Sequence, residues 1–271
     1  MTDEDDAKAQ ARQAKAEALD RLGANESSWA QHELVANYLR YGILTGDSPP
    51  GSKLLSTPRL VEMYGIAPQT IKNANDMLAE EGLVRSQRGS GIFVQPPRQR
   101  TLTPARYKEP AAPGQTYRWL DEAAKQGDRA SSTLLEVAEV GPPADAAAAM
   151  GLGAGGVAIL RVQMLSMNDE PAELVKSYYP VEIARGTQIA EKKKIKGGTP
   201  RLLADMGYPP VRCVDKVMAI LPTPEHVKAL KMPGKLPVLR TLRVVYSNND
   251  RVIEVTEMVK ASHLYAVEYE F

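Results

Sequence analysis

Cysteine, histidine and long apolar runs are nearly absent from this sequence of 271 residues. Its single cysteine, Cys213, excludes an internal disulfide framework and a thiolate metal cluster, and it fits a reducing compartment. The histidines at positions 32, 226 and 263 are too scattered to suggest a metal site, and no cofactor is predicted. No run approaches 18 apolar residues, and the charged N-terminus lacks the apolar core of a signal peptide. We therefore expect a soluble, cytoplasmic protein.

The net charge of the chain is also small, at +1. The 34 Lys and Arg residues nearly balance 33 Asp and Glu residues, so any nucleic-acid role must rest on the local placement of basic side chains. The chain is 43% hydrophobic and 25% charged, which is typical of a globular protein, and its length suits two domains. A glycine motif at Gly151–Gly156 lies between a helical pattern and a strand, the reverse of a dinucleotide-binding order. No triad or paired-carboxylate spacing indicates an enzyme.

Composition and periodicity divide the chain into four segments. Residues 1–25 are an Ala-rich, charged extension, and residues 26–95 contain helical patterns followed by two short strand-like runs. Residues 96–114 are rich in proline and lack a sustained period, which is typical of a linker. Residues 115–271 contain several strand-like runs, and the turn sequences NDEP and NND each join two of them. This last segment is predicted to be an α+β domain around an antiparallel sheet.

Three helices are predicted in the first domain. The first begins after Ser27 or Ser28 and ends near Thr45, with an inward face of Trp29, Val35, Tyr38, Leu39 and Ile43. The second starts at Thr57, and the third runs from Pro68 to Gly82 with Ile71, Ala74 and Leu78 on its apolar face. The polar face of this third helix suits reading a nucleic acid, and it equally suits exposure to water.

The order of the elements favours nucleic-acid reading. Two short helices joined by a Gly-containing turn form a helix-turn-helix, whose second helix can enter the ~12 Å major groove. The strand-like runs that follow flank a glycine-bearing turn and form a wing that can approach DNA closely. The candidate DNA-binding residues are Lys53, Ser56, Thr57, Arg59, Pro68, Gln69, Thr70, Lys72, Asn73, Arg85, Arg88 and Gly89. A winged helix used for protein contacts or tetramerisation remains an alternative.

Most of the first domain resembles the GntR-type bacterial transcription regulators. The family pattern of Ile-x-x-Gly, Pro-Gly-x-x-Leu, Leu-x-x-Glu-Gly-Leu and Gly-x-Gly-x-x-Val is matched by Ile43–Gly46, Pro50–Leu54, Leu78–Leu83 and Gly89–Val94. The resemblance implies a homodimer that binds a pseudo-palindromic, double-stranded DNA operator.

The third helix departs from the family pattern at its start. Ala67 and Pro68 stand where a Ser-Arg pair is usual, and Lys72 stands where an arginine is usual. A side-chain helix cap and the bidentate reading of guanine from these positions are therefore lost. Gln69 and Asn73 can pair with adenine, and Thr70 can touch a thymine methyl. We expect half-sites whose inner bases are richer in A·T than is usual for the family.

The second domain looks like the effector domain of the HutC-like subfamily, a UTRA domain with a chorismate-lyase-like fold. The similar segments are Leu160–Pro180 and Leu239–Val259. The resemblance makes Arg161, Ser177, Tyr178, Tyr246 and Glu254 candidate effector-binding residues. Gln163 and Val175 replace a family arginine and acid, which argues against assuming a phosphosugar, and an apolar or amide-bearing ligand fits equally well. Arg161 and Glu254 could instead form a cross-strand charge pair.

These resemblances predict a homodimeric repressor whose operator affinity is modulated by a small-molecule effector. One alternative is a constitutive, plasmid-type repressor of conjugative transfer, whose second domain mainly dimerises. The other is an enzyme of the chorismate-lyase type, which needs an acid–base pair that the sequence does not show.

Overall fold

A computed structural model describes residues 28–96, 99–103, 118–125, 127–233 and 236–269. The chain divides into two compact units, residues 1–98 and 99–271, and each is described by itself. The extension predicted for residues 1–25 lies outside the described residues, as does most of the predicted linker. Within that linker, Arg100–Leu102 form a strand that pairs with Tyr265–Val267. These three residues therefore belong to the second unit, through a partner too distant in sequence for periodicity to reveal.

The first unit is a winged helix-turn-helix. Its three helices pack around one apolar core in which Leu60, Ile71 and Leu78 are fully buried. The elements are α1 (Gln31–Thr45), α2 (Thr57–Tyr64), α3 (Pro68–Glu80) and the antiparallel wing strands β1 (Val84–Gln87) and β2 (Gly91–Val94). The predicted order of three helices and a wing is confirmed.

α1 differs from its prediction at its start and on one face. Its N-cap is Ala30 rather than a serine, and the Ala30 backbone N–H donates to the Glu33 carboxylate at 3.0 Å. Trp29 and Tyr38, predicted to face inward, are 56% and 58% exposed. The residues of α1 that pack into the core form a narrower stripe than predicted, which includes Val35 and Leu39. Only part of the apolar surface of α1 is therefore buried.

Local sequence sets the limits of α2 and α3. The Ser56 hydroxyl accepts from the Arg59 backbone N–H at 3.4 Å and caps α2. α3 begins at Pro68, as predicted, and its N-cap residue Ala67 offers no side-chain hydrogen bond. The chain leaves α3 through Gly82, whose φ of 74° is a left-handed conformation that glycine adopts without strain.

The second unit is built on a six-stranded antiparallel sheet. The strand order is β4–β5–β6–β9–β8–β7, with strands β4 (Ala130–Val140), β5 (Ala158–Met167), β6 (Glu170–Pro180), β7 (Arg212–Ile220), β8 (Val238–Tyr246) and β9 (Val252–Ala261). A separate parallel pair consists of β3 (Arg100–Leu102) and β10 (Tyr265–Val267). Asn168 and Asp169 have φ values of 50° and 67°, which suits the tight β5–β6 hairpin predicted there. The α+β prediction is confirmed.

Helices cover both faces of this sheet. They are α4 (Arg118–Lys125), α5 (Ala144–Ala149), α6 (Val181–Ala184), α7 (Thr199–Asp205) and α8 (Pro224–Leu230). On one face, α5 and α8 bury Ala146 and Leu230 in the largest apolar cluster. On the other face lie two smaller clusters, one around Trp119 and one around Tyr179. None of the helices in the described ranges has both the length and the apolar composition needed to cross a bilayer.

Candidate functional site

The exposed face of α3 carries two side-chain pairs. The Gln69 Nε2 atom donates to Asn73 Oδ1 at 2.8 Å, and Lys72 Nζ lies 2.5 Å from Asp76 Oδ2. Each pair is separated by four residues, so all four side chains share one face of the helix. All four are exposed, and Ile71, Ala74 and Leu78 are buried on the opposite face. The polar groups of this face are therefore available to a partner that competes for their mutual hydrogen bonds.

Lys53 lies beside the wing although it precedes β1 by some thirty positions. It pairs antiparallel with Phe93, and the Leu54 backbone N–H donates to the Ile92 carbonyl at 2.9 Å. Its side chain lies so close to Gly91 that a Cβ there would come within 2.5 Å of Lys53 Cε. The Lys53 side chain therefore lies against the wing that also carries Arg85 and Arg88.

The predicted DNA-binding residues differ in whether their side chains already form hydrogen bonds or ion pairs within the protein. Arg59 Nη1 lies 2.6 Å from Glu62 Oε2, and the Ser56 hydroxyl caps α2. Thr57 and Thr70 are half-buried, whereas Pro68 and Gly89 are exposed. In the part of the chain that the structure describes, Lys53, Arg85 and Arg88 are exposed and form no ion pair. These three cations are the best placed to contact phosphates.

A buried ion pair that the sequence did not suggest connects α1 to the end of α3. Arg40 Nε and Nη2 donate to the two Glu81 carboxylate oxygens at 2.7 and 2.5 Å, and Arg40 also donates to Asn37. The Glu81 side chain is only 5% exposed. The two-point contact holds α3 in a defined orientation on α1.

A cavity of about 430 Å³ lies on one face of the sheet in the second unit. Its lining combines residues from both smaller apolar clusters with side chains of β5, β6, β8 and β9. We name two ends of it. The apolar end is lined by Leu102, Trp119, Leu165, Val175 and Met258, and the polar end by Arg161, Ser177, Tyr179, Asp215, Arg243 and Glu254. The volume suits a small organic molecule.

Glu254 is the acid at the polar end that no cation pairs with among the described residues. It accepts hydrogen bonds from the Thr256 hydroxyl and from the Ser177 hydroxyl, the latter at 3.2 Å. Burial raises the pKa of the Glu254 carboxyl above its ordinary value, and the surrounding hydroxyl donors and Arg243 oppose that rise only in part. Burial also raises the pKa of the neighbouring Tyr179 phenol, so this tyrosine stays protonated.

Arg161 is engaged by the backbone rather than by Glu254. Its Nη1 donates to the Ile189 and Glu191 carbonyls at 2.7 and 2.9 Å, and its Nη2 donates to the Lys193 carbonyl at 2.8 Å. The cross-strand pair with Glu254 that the sequence left open is not formed. Arg161 is 2% exposed, and its Nε is buried without a hydrogen-bond partner in the described structure. The guanidinium holds the loop after residue 188 over the cavity.

Two further ion pairs line the cavity, and neither was predicted. Arg243 forms a two-point contact with Asp215, with both nitrogen–oxygen distances 2.7 Å. Lys260 Nζ lies 2.8 Å from Glu173 Oε1, and both side chains are less than 10% exposed. In the ranges that the structure describes, acidic, histidine and cysteine side chains form no group of three suited to a metal ion. Two of the acids that line the cavity, Asp215 and Glu173, are thus neutralised by cations.

Two of the five predicted effector-binding residues lie away from this cavity. Tyr178 is buried in the cluster on the opposite face of the sheet, and Tyr246 packs at the edge of that cluster under the Arg212 guanidinium, 3.8 Å from the ring centre. Side chains alternate along a strand, so Ser177 and Tyr178 cannot face the same side. Alternation from Ser177 instead selects Glu173, Val175 and Tyr179, which do line the cavity.

Comparison with known proteins matches each of the two units to a different family model. Residues 31–94 match the family described as bacterial regulatory proteins, gntR family, and residues 125–266 match the UTRA domain. An uncharacterized HTH-type transcriptional regulator of Streptomyces coelicolor is 30% identical over 245 residues, covering 84% of this chain and 88% of that protein. The chain belongs to the GntR family, with a UTRA domain. It is therefore a DNA-binding transcriptional regulator with an effector-binding domain, and not an enzyme.

More distant relatives agree with this assignment. The HTH-type transcriptional repressor NagR of Bacillus subtilis is 23% identical over 231 residues, covering 85% of this chain and 90% of that protein. The crystal structure of PhnF from Mycobacterium smegmatis matches with a TM-score of 0.52 at 18% identity, covering 88% of this chain and 98% of that one. Another crystal structure assigned to the GntR family has a TM-score of 0.61 at 20% identity, covering 89% and 97%. At these identities the structures support the fold alone.

Proposed function

We propose that this GntR-family regulator is a homodimeric repressor that binds a pseudo-palindromic operator. The observation that carries the proposal is the exposed polar face of α3 beside the wing cations Lys53, Arg85 and Arg88. α3 would enter the major groove, and the wing cations would contact phosphates on either side. Two heads in one dimer would meet half-sites about one helical turn apart. The related NagR is a repressor by name, which supports repression here.

Sequence reading is assigned to the amide pair of α3. Gln69 and Asn73 are exposed and bonded to each other, so both amides point to the same side of the helix. An amide side chain can bond adenine at two points, whereas Lys72 offers one point charge and is shared with Asp76. We therefore expect A·T pairs at the inner positions of each half-site, with Thr70 beside a thymine methyl.

Regulation is assigned to the cavity of the second unit. A ligand bound there would change operator affinity only to the extent that it prefers one arrangement of the dimer, typically by ~1–3 kcal/mol. The candidate ligand contacts are Arg161, Ser177 and Glu254, joined by Tyr179 and the apolar end.

Footprinting on the DNA that flanks the gene tests the operator proposal. We expect two protected half-sites, with affinity lost when adenines inside each of them are replaced by 7-deazaadenine, which lacks the major-groove N7 acceptor. Replacing Gln69 and Asn73 by alanine should cost about 1–3 kcal/mol per lost bidentate pair and relax the preference at those bases. Lys228→Ala, at an exposed residue of α8 in the second unit, is the control and should leave operator binding unchanged. Contacts restricted to G·C pairs at the inner positions would contradict the assignment of Gln69 and Asn73.

A further inference from the structure

The cavity presents two chemically different ends along a single strand. Glu254 at the polar end and Met258 at the apolar end both belong to β9 and both line the cavity. Four residues of strand separate them, which is roughly 13 Å. Between them, Thr256 and Ser177 share a hydrogen bond of 2.8 Å. A ligand that fills the cavity therefore meets a carboxyl group at one end and apolar side chains at the other.

The cations at the polar end are already committed. Both oxygens of Asp215 bond Arg243, and the Nη atoms of Arg161 bond backbone carbonyls. The Arg161 Nε is a buried donor without a hydrogen-bond partner among the described residues. Lys194 and Lys196 also line the cavity, but both are exposed and so remain hydrated. The Arg243 guanidinium and the Nη atoms of Arg161 thus already have acceptors within the protein.

Glu254 has the opposite character. Its side chain is half-buried, its carboxyl group is bonded by neutral hydroxyl donors, and it forms no ion pair among the described residues. A buried carboxylate gains most from a partner that carries positive charge and several N–H donors. A protonated primary amine meets both conditions and is small enough to share the site with the Ser177 and Thr256 hydroxyls.

The apolar end defines the rest of the ligand. Trp119, Val175 and Met258 line it, and Trp119 is 5% exposed. The ion pair of Lys260 with Glu173 also lines the cavity, and it is closed on itself and offers no net charge. An aromatic or alkyl group buried here would be stabilised by the loss of its water-exposed surface.

From this arrangement we propose that the effector is an amphipathic amine, with its ammonium group on Glu254 and its apolar group against Trp119 and Met258. The proposal rests on the assignment of this cavity as the effector site. It specifies a cationic, partly apolar ligand class.

The test uses the full-length protein and compounds that share one apolar group and differ only in the head. The probes are 4-phenylbutylamine, 4-phenylbutanol and 4-phenylbutanoate, with glucose 6-phosphate as the anionic sugar. Affinity is measured by calorimetry, together with the melting temperature and the release of operator DNA. We expect the amine to bind at least about tenfold more tightly than the alcohol, because a charge-assisted hydrogen bond is stronger than a neutral one. The carboxylate and the sugar phosphate should bind weakest.

Three variants separate the contributions of the two ends. Glu254→Gln should remove the advantage of the amine and leave binding of the alcohol within about threefold, since Gln keeps the shape and loses the charge. Met258→Ala should weaken the amine and the alcohol by the same factor, since both lose the same apolar contact. Glu139→Gln, at an exposed pair with Arg185, should change neither affinity. The melting temperature of each variant without ligand shows whether it is folded.

The possible results distinguish this inference from the proposed function. Tighter binding of the carboxylate or the sugar phosphate, or an amine affinity that Glu254→Gln leaves unchanged, would overturn the amine assignment and leave an effector-responsive repressor in place. If no probe changes stability or DNA release while operator binding is intact, the amine class is contradicted and the second unit acts without such a ligand. Failure to bind operator DNA would instead contradict the proposed function.

Discussion

Glu254 is an acid whose surroundings do not compensate its charge. Hydroxyl groups of Ser177 and Thr256 bond it, but burial still raises its pKa above the ordinary value. The folded protein therefore binds this proton more tightly than the unfolded chain does. Between the ordinary pKa and the raised one, stability falls as pH rises, because the folded state must lose a proton that burial favours.

At the residue scale, Glu254→Gln should raise stability at neutral pH and flatten its pH dependence. The reason is that the amide keeps the hydrogen bonds and has no carboxyl group that must ionise away from water. Urea unfolding from pH 5 to pH 8 measures this, with the exposed Glu139→Gln as control. A variant that is less stable than the wild type at pH 8, or a wild type whose stability rises across that range through this group, would contradict the prediction.

At the scale of elements, α3 begins without a side-chain cap. Ala67 occupies the N-cap with φ of −63° and ψ of 144°, a conformation that serine adopts readily, and Pro68 follows it. Ala67→Ser should stabilise the first unit by about 0.5–2 kcal/mol, because the hydroxyl can accept from a backbone N–H of the first turn. Denaturant unfolding measures the gain. Ala67→Val, which adds bulk without an acceptor, should show none.

The buried ion pair of Arg40 with Glu81, between α1 and the end of α3, gives a second prediction at this scale. Arg40→Met should destabilise the first unit by about 3–5 kcal/mol, because it leaves the buried Glu81 carboxylate without its cation. Arg59→Met is the matched control: Arg59 and Glu62 are 58% and 68% exposed, so removing that pair should cost about 0–1 kcal/mol. A combined Arg40→Met and Glu81→Met variant should recover most of the loss. Equal losses for the two single variants would show that the buried pair contributes nothing special.

At the scale of the whole molecule, near-neutral charge means that DNA affinity depends on a few placed cations. Lys53, Arg85 and Arg88 in each of two heads provide about six phosphate contacts, so log K should fall with log salt at a slope of about −5. Arg88→Ala should reduce that slope by about 2, one contact per head. Fluorescence anisotropy with operator DNA between low and physiological salt measures both. Lys228→Ala, on the surface of α8, should leave the slope unchanged, and an equal effect of the two variants would contradict the assignment of Arg88.

The helices and hairpins could be predicted because their signals are local. Pro68 and Gly82 bound α3 through backbone geometry alone, and Asn168 with Asp169 favours a tight hairpin wherever it occurs. The spacing of Leu60, Ile71 and Leu78 likewise identifies the buried faces of α2 and α3. Such signals act within a few residues, so they were enough for the winged helix-turn-helix, the antiparallel sheet and the polar face of α3.

The cavity depended on contacts between residues far apart in the chain. Arg161 meets a loop some thirty residues away, Lys260 meets Glu173, and Lys53 reaches Gly91 only because the chain folds back beside the wing. Strand alternation could have placed Tyr179 and Glu173 at the site and removed Tyr178, but no local pattern reveals which acid finds a cation. The sequence by itself thus determined the elements and the family. Only tertiary structure decided which charges are paired and left Glu254 without a cationic partner among the described residues, because pairing depends on distances across the sheet.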